Sequence, residues 1–175
     1  MPYATPRRGQ PQPVDHGHGP PARALGQEDL GPASEVLEIG TGTGEPALRA
    51  ADTGAHVTAV DVSWLAVLTA RLNAPRRRIP LRVVHGDFAG RVADHRYDLV
   101  VSNPPYVPAP SCRLPSRGPQ RAWDAGPDRR TVIDRICGGA PRLVRPGGVL
   151  LKGTPVCAGR TRPSEGRPER AWRRR

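Results

Sequence analysis

Short apolar runs alternate with helical patterns through the middle of this chain. Five runs, at residues 36–39, 56–61, 81–87, 97–102 and 149–152, have the texture of strands. Between them the apolar spacing predicts helices at residues 45–54, 63–74 and 128–144, the last broken at Gly138 and Gly139, and a turn at residues 145–148. Strands that alternate with helices predict an α/β fold with a mostly parallel, Rossmann-like sheet.

The second predicted helix has an apolar face. Ser63 can cap its first turn, and Pro75 is expected to stop it. Leu65, Leu68 and Leu72 recur at helical spacing and therefore share one side.

The two ends of the chain differ from this middle region. Residues 1–34 have no sustained periodicity and predict a disordered N-terminal arm, so the domain is expected to span residues 35–152. Residues 153–175 hold seven arginines and two glutamates, and predict an Arg-rich disordered tail. The net charge of +11 makes non-specific contact between this tail and nucleic acid an expectation.

Several classes of protein are disfavoured by composition. No run is long and apolar enough to span a membrane, and the N-terminus lacks a signal-peptide core, so we expect a cytoplasmic protein without membrane contact. The three cysteines are widely spaced and no Cys/His cluster has ligand spacing, so we expect no metal.

Polar or glycine residues lie at the carboxyl ends of four of the predicted strands. They are Gly40, Asp61, Asp87 and Asn103. Because ligands of parallel sheets bind beyond the carboxyl ends of the strands, these residues predict one binding crevice.

The first of these positions opens a glycine-rich loop. Gly40, Gly42 and Gly44 are followed by Glu45, so the spacing is neither that of a dinucleotide loop nor that of a Walker loop, and an NAD-type oxidoreductase is disfavoured. Glu38 is expected to face the crevice, and Asp61 can accept both hydrogen bonds of a ribose diol. With Asp87 as acceptor for an exocyclic amine, the set favours a nucleoside cofactor with a cationic centre, S-adenosylmethionine (SAM).

Four stretches carry a resemblance to a known family. EIGTGTG, AVDVS, GDF and NPPYVP resemble the ordered motifs of class I SAM-dependent methyltransferases, and most closely those of the HemK/PrmC-type protein glutamine N5-methyltransferases. The resemblance covers residues 35–152. It implies a cofactor site formed by Glu38, Gly40, Thr41, Gly42, Gly44, Asp61, Val62, Asp87, Phe88 and Asn103.

The NPPY stretch predicts a clamp for a planar nitrogen. The side-chain oxygen of Asn103 and the carbonyl of Pro104 can each accept one N–H of an acceptor NH₂ group. Pro104 and Pro105 restrict the backbone and offer no competing donors, and Tyr106 can stack on the flat acceptor. These four residues are the predicted catalytic residues.

The motif alone leaves the acceptor open between glutamine and adenine. Residues 121–128, RAWDAGPD, resemble the stretch that follows NPPY in the glutamine enzymes, where Arg129 replaces a second glycine. The resemblance therefore implies the Gly-Gly-Gln loop of a peptide-chain release factor as substrate. One alternative is N6-adenine methylation of RNA or DNA.

A second alternative is a truncated remnant of weak or no activity that binds nucleic acid through its basic tail. The family's antiparallel strand pair is expected to be missing after Lys152, because no strand texture follows it. The fifth strand would then be an open edge.

Overall fold

One sheet organises the chain. The computed structural model describes residues 24–76, 80–111, 113–115, 118–153 and 170–173. Its strands are β1 (Glu35–Ile39), β2 (His56–Asp61), β3 (Arg82–His85), β4 (Tyr97–Ser102), β5 (Val144–Lys152) and β6 (Arg170–Arg173). They lie in the order β3-β2-β1-β4-β5-β6, and the first five pair in parallel. The predicted α/β fold with a mostly parallel sheet is confirmed.

Helices connect the parallel strands. They are α1 (Glu45–Ala51), α2 (Trp64–Arg76), the single turn α3 (Phe88–Arg91) and α4 (Thr131–Leu143), with a 3₁₀ turn at Pro119–Ala122 before α4. The predicted break in α4 is wrong, because the helix continues through both glycines. A Cβ at Gly139 would lie 3.0 Å from Cε2 of Phe88, so this glycine lets the Phe88 ring approach the helix backbone. That packing offsets the low helix propensity of glycine.

The sheet is covered on both faces, as the alternation of its side chains requires. Val36 of β1 packs with Ala47 and Ala50 of α1 on one face. The next residue, Leu37, packs with Ile136 of α4 on the other face. Successive residues of a strand project to opposite faces, so one short strand contributes to both cores.

The turn predicted at residues 145–148 lies within β5 instead. The register of β5 against β4 shifts between Tyr97 and Leu99, so β5 carries extra residues at this point. A Cβ at Gly148 would lie 2.8 Å from the carbonyl oxygen of Asp98, and glycine therefore permits the two strands to stay close through the irregularity.

The predicted end of the N-terminal arm, at residue 34, is wrong. Ala24 and Leu25 are buried in the same core cluster as Val36, so the packed region begins before Glu35. Two apolar residues are too few to produce a periodic pattern, although they are enough to fill a place in the core. Residues 1–23 lie outside the described residues, and the arm there stays a prediction.

The prediction that β5 forms an open edge is also wrong, because β6 pairs with β5. Leu151 lies opposite Arg170 and Val149 opposite Arg173 in an antiparallel pair. Strand pairing uses main-chain groups, so an arginine-rich sequence does not prevent it. Residues 154–169 and 174–175 lie outside the described residues, and the disordered tail stays a prediction there.

The leucine face predicted on α2 exists but is not the buried one. Leu65, Leu68 and Leu72 are 71%, 45% and 54% exposed. The residues that α2 buries are smaller: Val67, Ala70 and Ala74. Helix α2 ends at Arg76, one residue beyond the expected stop at Pro75.

Two leucines provide a test of this packing. We expect Leu37→Ala to lower the free energy of unfolding by about 2–5 kcal/mol, because Leu37 is fully buried and its loss leaves a cavity. Leu68→Ala removes the same atoms from an exposed site and should cost less than about 1 kcal/mol. Urea unfolding of both variants measures the difference, and equal losses would contradict the burial described here.

Candidate functional site

The carboxyl ends of the central strands lie side by side. Ile39 at the end of β1 is opposite Val60 of β2 and Ser102 of β4. The loops after these strands therefore begin at one level, at the point where the strand order reverses between β1 and β4. The structure brings four predicted residues to this edge: Gly40, Asp61, Asp87 and Asn103.

The glycine loop connects β1 to α1. Gly40, Gly42 and Gly44 have φ values of 73°, 54° and 83°, which side-chain-bearing residues rarely adopt. A Cβ at Gly40 or Gly42 would meet no atom within 4 Å, whereas one at Gly44 would lie 3.1 Å from Cβ of Ala70. The first two glycines therefore expose backbone to open space, and the third allows close packing on α2.

Glu38 was expected to face the crevice, but its side chain is buried instead. It is 3% exposed, and its Oε2 accepts hydrogen bonds from the Thr41 hydroxyl at 2.5 Å and from the Ala47 N–H at 3.3 Å. Thr41 is buried as well. Glu38 thus links the end of β1 to the glycine loop and to the first turn of α1 from beneath, and it acts on a ligand only through the loop.

The burial of Glu38 changes its protonation. Desolvation raises the pKa of this carboxyl to about 8, although the hydrogen bonds from Thr41 and Ala47 oppose the rise. The negative charges of Asp61 and Glu45 add to it. The protonated, neutral form is therefore the favoured form of Glu38 at pH 7.

Asp61 ends β2 and reaches across to the glycine loop. Its Oδ2 accepts a hydrogen bond from the Gly42 N–H at 3.1 Å, and its Oδ1 accepts one from the Ser63 N–H at 2.7 Å. Each carboxylate oxygen retains further acceptor capacity, so the group can also take two hydroxyl donors. Val62 follows it, and its carbonyl lies 3.3 Å from Nε2 of His85.

Asp87 follows β3 and caps α3. Its Oδ1 accepts from the Ala89 N–H at 3.0 Å, and its Oδ2 forms an ion pair with Arg135 of α4 at 2.7 Å. Partial burial acts to raise the pKa of Asp87, but the bonds from Arg135 and Ala89 outweigh it and the pKa lies below the usual value. An amine at this site would therefore share the carboxylate with Arg135. The Phe88 ring is buried in the core, with the Arg135 guanidinium 5.9 Å from its centroid.

The end of β4 is held firmly in place. The Ser102 hydroxyl donates to the carbonyl of Ile39 at 2.8 Å within the buried core, and the Gly153 N–H donates to the carbonyl of Ser102 at 2.9 Å. These bonds fix the strand end on both sides, next to the glycine loop.

The predicted clamp follows directly. Pro104 is buried and Pro105 is partly buried, while Asn103 and Tyr106 are exposed. Within the described part of the chain, no hydrogen bond occupies the Asn103 amide. Asn103 and Tyr106 are thus exposed on either side of two prolines that are at least partly buried. This arrangement can present the side-chain oxygen of Asn103 to a ligand.

A second loop segment supports the clamp. Val107 and Asp124 form an isolated parallel bridge, in which the Val107 N–H donates to the Trp123 carbonyl at 2.8 Å. The Ala109 N–H donates to the Gly126 carbonyl at 3.1 Å, so the two segments are joined at two points.

Arg129 adopts a conformation that is normally left to glycine. Its φ is 63°, and it is the one described residue other than glycine with positive φ. The glutamine methyltransferase pattern that this segment resembles has a glycine at this position. The backbone of Arg129 has the conformation that a glycine would adopt most easily.

Two residues near the site were missed by the sequence analysis. Arg135 is 48 positions from Asp87, and nothing in the helical pattern of α4 indicates that pairing. Trp123 lies within residues 121–128, the segment that resembles the glutamine methyltransferases. Only the bridge between Val107 and Asp124 shows that this segment adjoins the clamp. An aromatic residue in a loop without apolar periodicity is the signal that could have identified it.

Two kinds of feature are not found in the described part of the chain. No three His, Cys, Asp or Glu side chains group in a way that could hold a metal ion. No helix there is long and apolar enough to cross a membrane.

Comparison with known proteins agrees with this geometry. Residues 14–112 match the family model described as the methyltransferase small domain. The chain is 38% identical over 125 residues to the release factor glutamine methyltransferase of Bordetella pertussis, with 67% of the chain and 46% of the relative covered. It is 38% identical over 127 residues to the ribosomal protein uL3 glutamine methyltransferase of Bradyrhizobium diazoefficiens, with 66% and 39% covered. The chain thus spans less than half the length of these relatives.

Solved structures share the fold. A ribosomal protein L11 methylase from Lactobacillus delbrueckii subsp. bulgaricus superimposes with a TM-score of 0.55 at 21% identity, over 75% of the chain and 56% of that protein. A 16S rRNA N2 G1207 methyltransferase from Thermus thermophilus gives a TM-score of 0.54 at 23% identity, over 79% and 35%. At these identities the likeness establishes the architecture alone.

The neutral buried Glu38 leads to a prediction about pH. The pKa of this group is about 8 in the folded chain and 4.5 in the unfolded chain, so its contribution to stability is fully present below pH 4.5 and is lost as pH rises to about 8. A difference of one unit between the pKa in the folded chain and the pKa in the unfolded chain corresponds to about 1.4 kcal/mol of unfolding free energy. Glu38→Gln cannot titrate, and we expect it to flatten the fall in unfolding free energy between pH 5 and 8.

Chemical denaturation at a series of pH values measures this slope. Asp94→Asn is the matched control, because Asp94 is exposed and its charge is not one of those that act on the pKa of Glu38. The control should keep the wild-type slope. An unchanged slope in Glu38→Gln would show that Glu38 is not the group responsible.

Proposed function

Because the chain belongs to the methyltransferase small domain family, we propose that it transfers a methyl group from SAM to the side-chain nitrogen of a glutamine in a polypeptide. The relatives at 38% identity support glutamine, since both are named for its methylation, one in a release factor and one in ribosomal protein uL3. A peptide-chain release factor with a Gly-Gly-Gln loop is the substrate we favour.

The residues at the sheet edge fit the proposed cofactor. The exposed backbone of Gly40 and Gly42 borders open space, where a larger residue could not adopt the same backbone without strain. Asp61 would accept the ribose hydroxyls, and Asp87 would accept from the adenine amine. When bound, SAM supplies an electrophilic methyl group on a sulfonium.

The exposed Asn103 amide beside the buried Pro104 is the observation that carries the proposal. An amide nitrogen is planar and weakly nucleophilic, so orientation matters more than a strong base. The side-chain oxygen of Asn103 and the carbonyl of Pro104 would each accept one N–H of the glutamine NH₂ group. Tyr106 would stack on the amide plane and exclude water from one side.

The clamp also stabilises the positive charge that would develop on the acceptor nitrogen during methyl transfer. As the new N–C bond forms and the bond between the methyl group and the sulfonium sulfur breaks, S-adenosylhomocysteine would leave and positive charge would develop on the nitrogen, where the two acceptor oxygens would stabilise the N–H groups that share it. One of these protons then passes to water. No other proton acceptor is required of the chain.

Adenine methylation requires the same kind of clamp and is the competing hypothesis. The basic tail that would support nucleic-acid binding lies largely outside the described residues, and the two relatives reported above are named for glutamine. We therefore retain polypeptide glutamine as the proposed acceptor.

Loss of the Asn103 amide tests the proposal. With methyl-labelled SAM and a purified release factor, we expect Asn103→Ala to reduce transfer by about 100-fold, the order lost with one positioned donor or acceptor of a transition state. Asp94→Asn, a change at an exposed position in the loop before β4, should leave transfer unchanged.

When RNA and DNA are added to the same reaction as the release factor, the label identifies the acceptor class. Product that is degraded by protease supports the proposal, whereas product that is degraded only by nuclease selects the adenine hypothesis. Equal transfer by wild type and Asn103→Ala would remove the clamp from the mechanism.

A further inference from the structure

Two aromatic side chains lie on neighbouring segments beside the clamp. The bridge between Val107 and Asp124 is formed by the Val107 N–H to the Trp123 carbonyl at 2.8 Å and the Ala125 N–H to the Val107 carbonyl at 2.9 Å. Because the Trp123 carbonyl bonds to the residue that follows Tyr106, the two aromatic residues are neighbours on the joined segments. Trp123 ends the 3₁₀ turn and not a strand, and together with Tyr106 and Val107 it forms an exposed apolar surface on these two segments.

This surface is open to solvent and apolar. Trp123 is 43% exposed, Tyr106 42% and Val107 40%. The chain has seven aromatic residues in total, so two of them on one exposed edge is a large share. None of the three belongs to a buried cluster, and core packing does not explain them.

The structural role of residue 123 is carried by its main chain. Its carbonyl accepts from Val107, and its N–H donates to the Gln120 carbonyl at 3.1 Å. Both bonds are independent of the side chain. The indole ring is therefore available for an interaction outside the fold.

We propose that Trp123 is a substrate-binding residue that contacts, together with Tyr106, the main chain of the polypeptide on either side of the acceptor glutamine. This inference rests on the proposed function and extends it to recognition of the substrate. Flat peptide groups can stack on an aromatic face, and they approach most closely where the substrate has glycine, because no Cβ separates the ring from the peptide plane. The surface thus favours glutamine in a glycine-containing loop.

The charges of the segment favour a polypeptide over a nucleic acid. Residues 121–134 hold three arginines and three aspartates, so the segment is neutral. Arg130 is paired with Asp134 at 2.8 Å. Nucleic-acid binding depends on an excess of arginine or lysine next to the phosphates, and this segment does not offer one.

The test compares Trp123→Ala with Trp123→Phe in the full chain. With purified release factor as substrate, we expect Trp123→Ala to raise KM by about tenfold or more, as loss of an aromatic anchor commonly does, with kcat within about threefold of wild type. Trp123→Phe keeps an aromatic face and should restore most of the KM. Leu68→Ala removes an exposed apolar side chain on α2 and should change neither constant.

SAM affinity separates this inference from the proposed function. All variants should bind SAM with the wild-type Kd, within about twofold, because Trp123 is assigned to the polypeptide alone. If wild type methylates the release factor and Trp123→Ala leaves KM unchanged, the inference is wrong and the proposed function stands. If wild type labels only oligonucleotides, both are wrong. If kcat falls in Trp123→Ala while KM is unchanged, Trp123 acts on the clamp and not on binding.

Discussion

The parallel pairing of β1 with both β2 and β4 is the constraint on which the site depends. It sets Val60 of β2 and Ser102 of β4 opposite Ile39, so the three strands end within one residue of each other. A slip of one residue in β1 would turn its side chains to the opposite faces. Glu38 would then leave its bonds to the glycine loop, and Leu37 would leave the core beneath α4. Burial of the β1 side chains therefore specifies the register, and the register assembles the crevice.

Three carboxyl groups at this edge have different environments and different uses. Glu38 lies beneath the loop with a raised pKa, so its neutral form can hold the loop without a buried charge. Asp87 lies at the surface, where Arg135 and the N-terminus of α3 hold its pKa low. Asp61 lies between them, bonded to the loop by one oxygen and to the start of α2 by the other.

These differences divide the work of a methyltransferase site. The neutral Glu38 bonds to the loop from beneath, and under the proposed function Asp61 and Asp87 would accept hydrogen bonds from the cofactor. The clamp at Asn103 needs no titrating group, since its oxygens accept hydrogen bonds in any state near neutral pH. We therefore expect the pH dependence of such a site to come mainly from stability and not from the clamp.

Much of the sheet could be predicted from the sequence because local patterns specify it. The five parallel strands, the glycine loop and the NPPY turn each have a signal within a few residues, and they lie where they were expected except that β5 begins five residues earlier, at Val144. The family resemblance is confirmed by the match over residues 14–112. The roles of the individual site residues stay predictions that the proposed experiments address.

The features that could not be predicted depend on distant contacts. A pattern shows that Glu38 is in a strand, but it cannot show that α1 covers the carboxyl group. The pairing of Asp87 with Arg135 joins separate elements. The apolar spacing on α2 is correct, yet the leucines that share a face are exposed and the smaller Val67, Ala70 and Ala74 form the buried side. Pairing of β6 through main-chain groups has no side-chain signal.

Calorimetric titration of the chain with SAM tests the central claim most directly. We predict saturable binding of one SAM per chain, weakened by about tenfold or more in Asp61→Ala, because that change removes both the proposed ribose acceptor and the bond to the Gly42 N–H. Asp94→Asn should bind as wild type does. A folded chain that gives no binding heat and no displacement of a labelled SAM analogue would contradict the account.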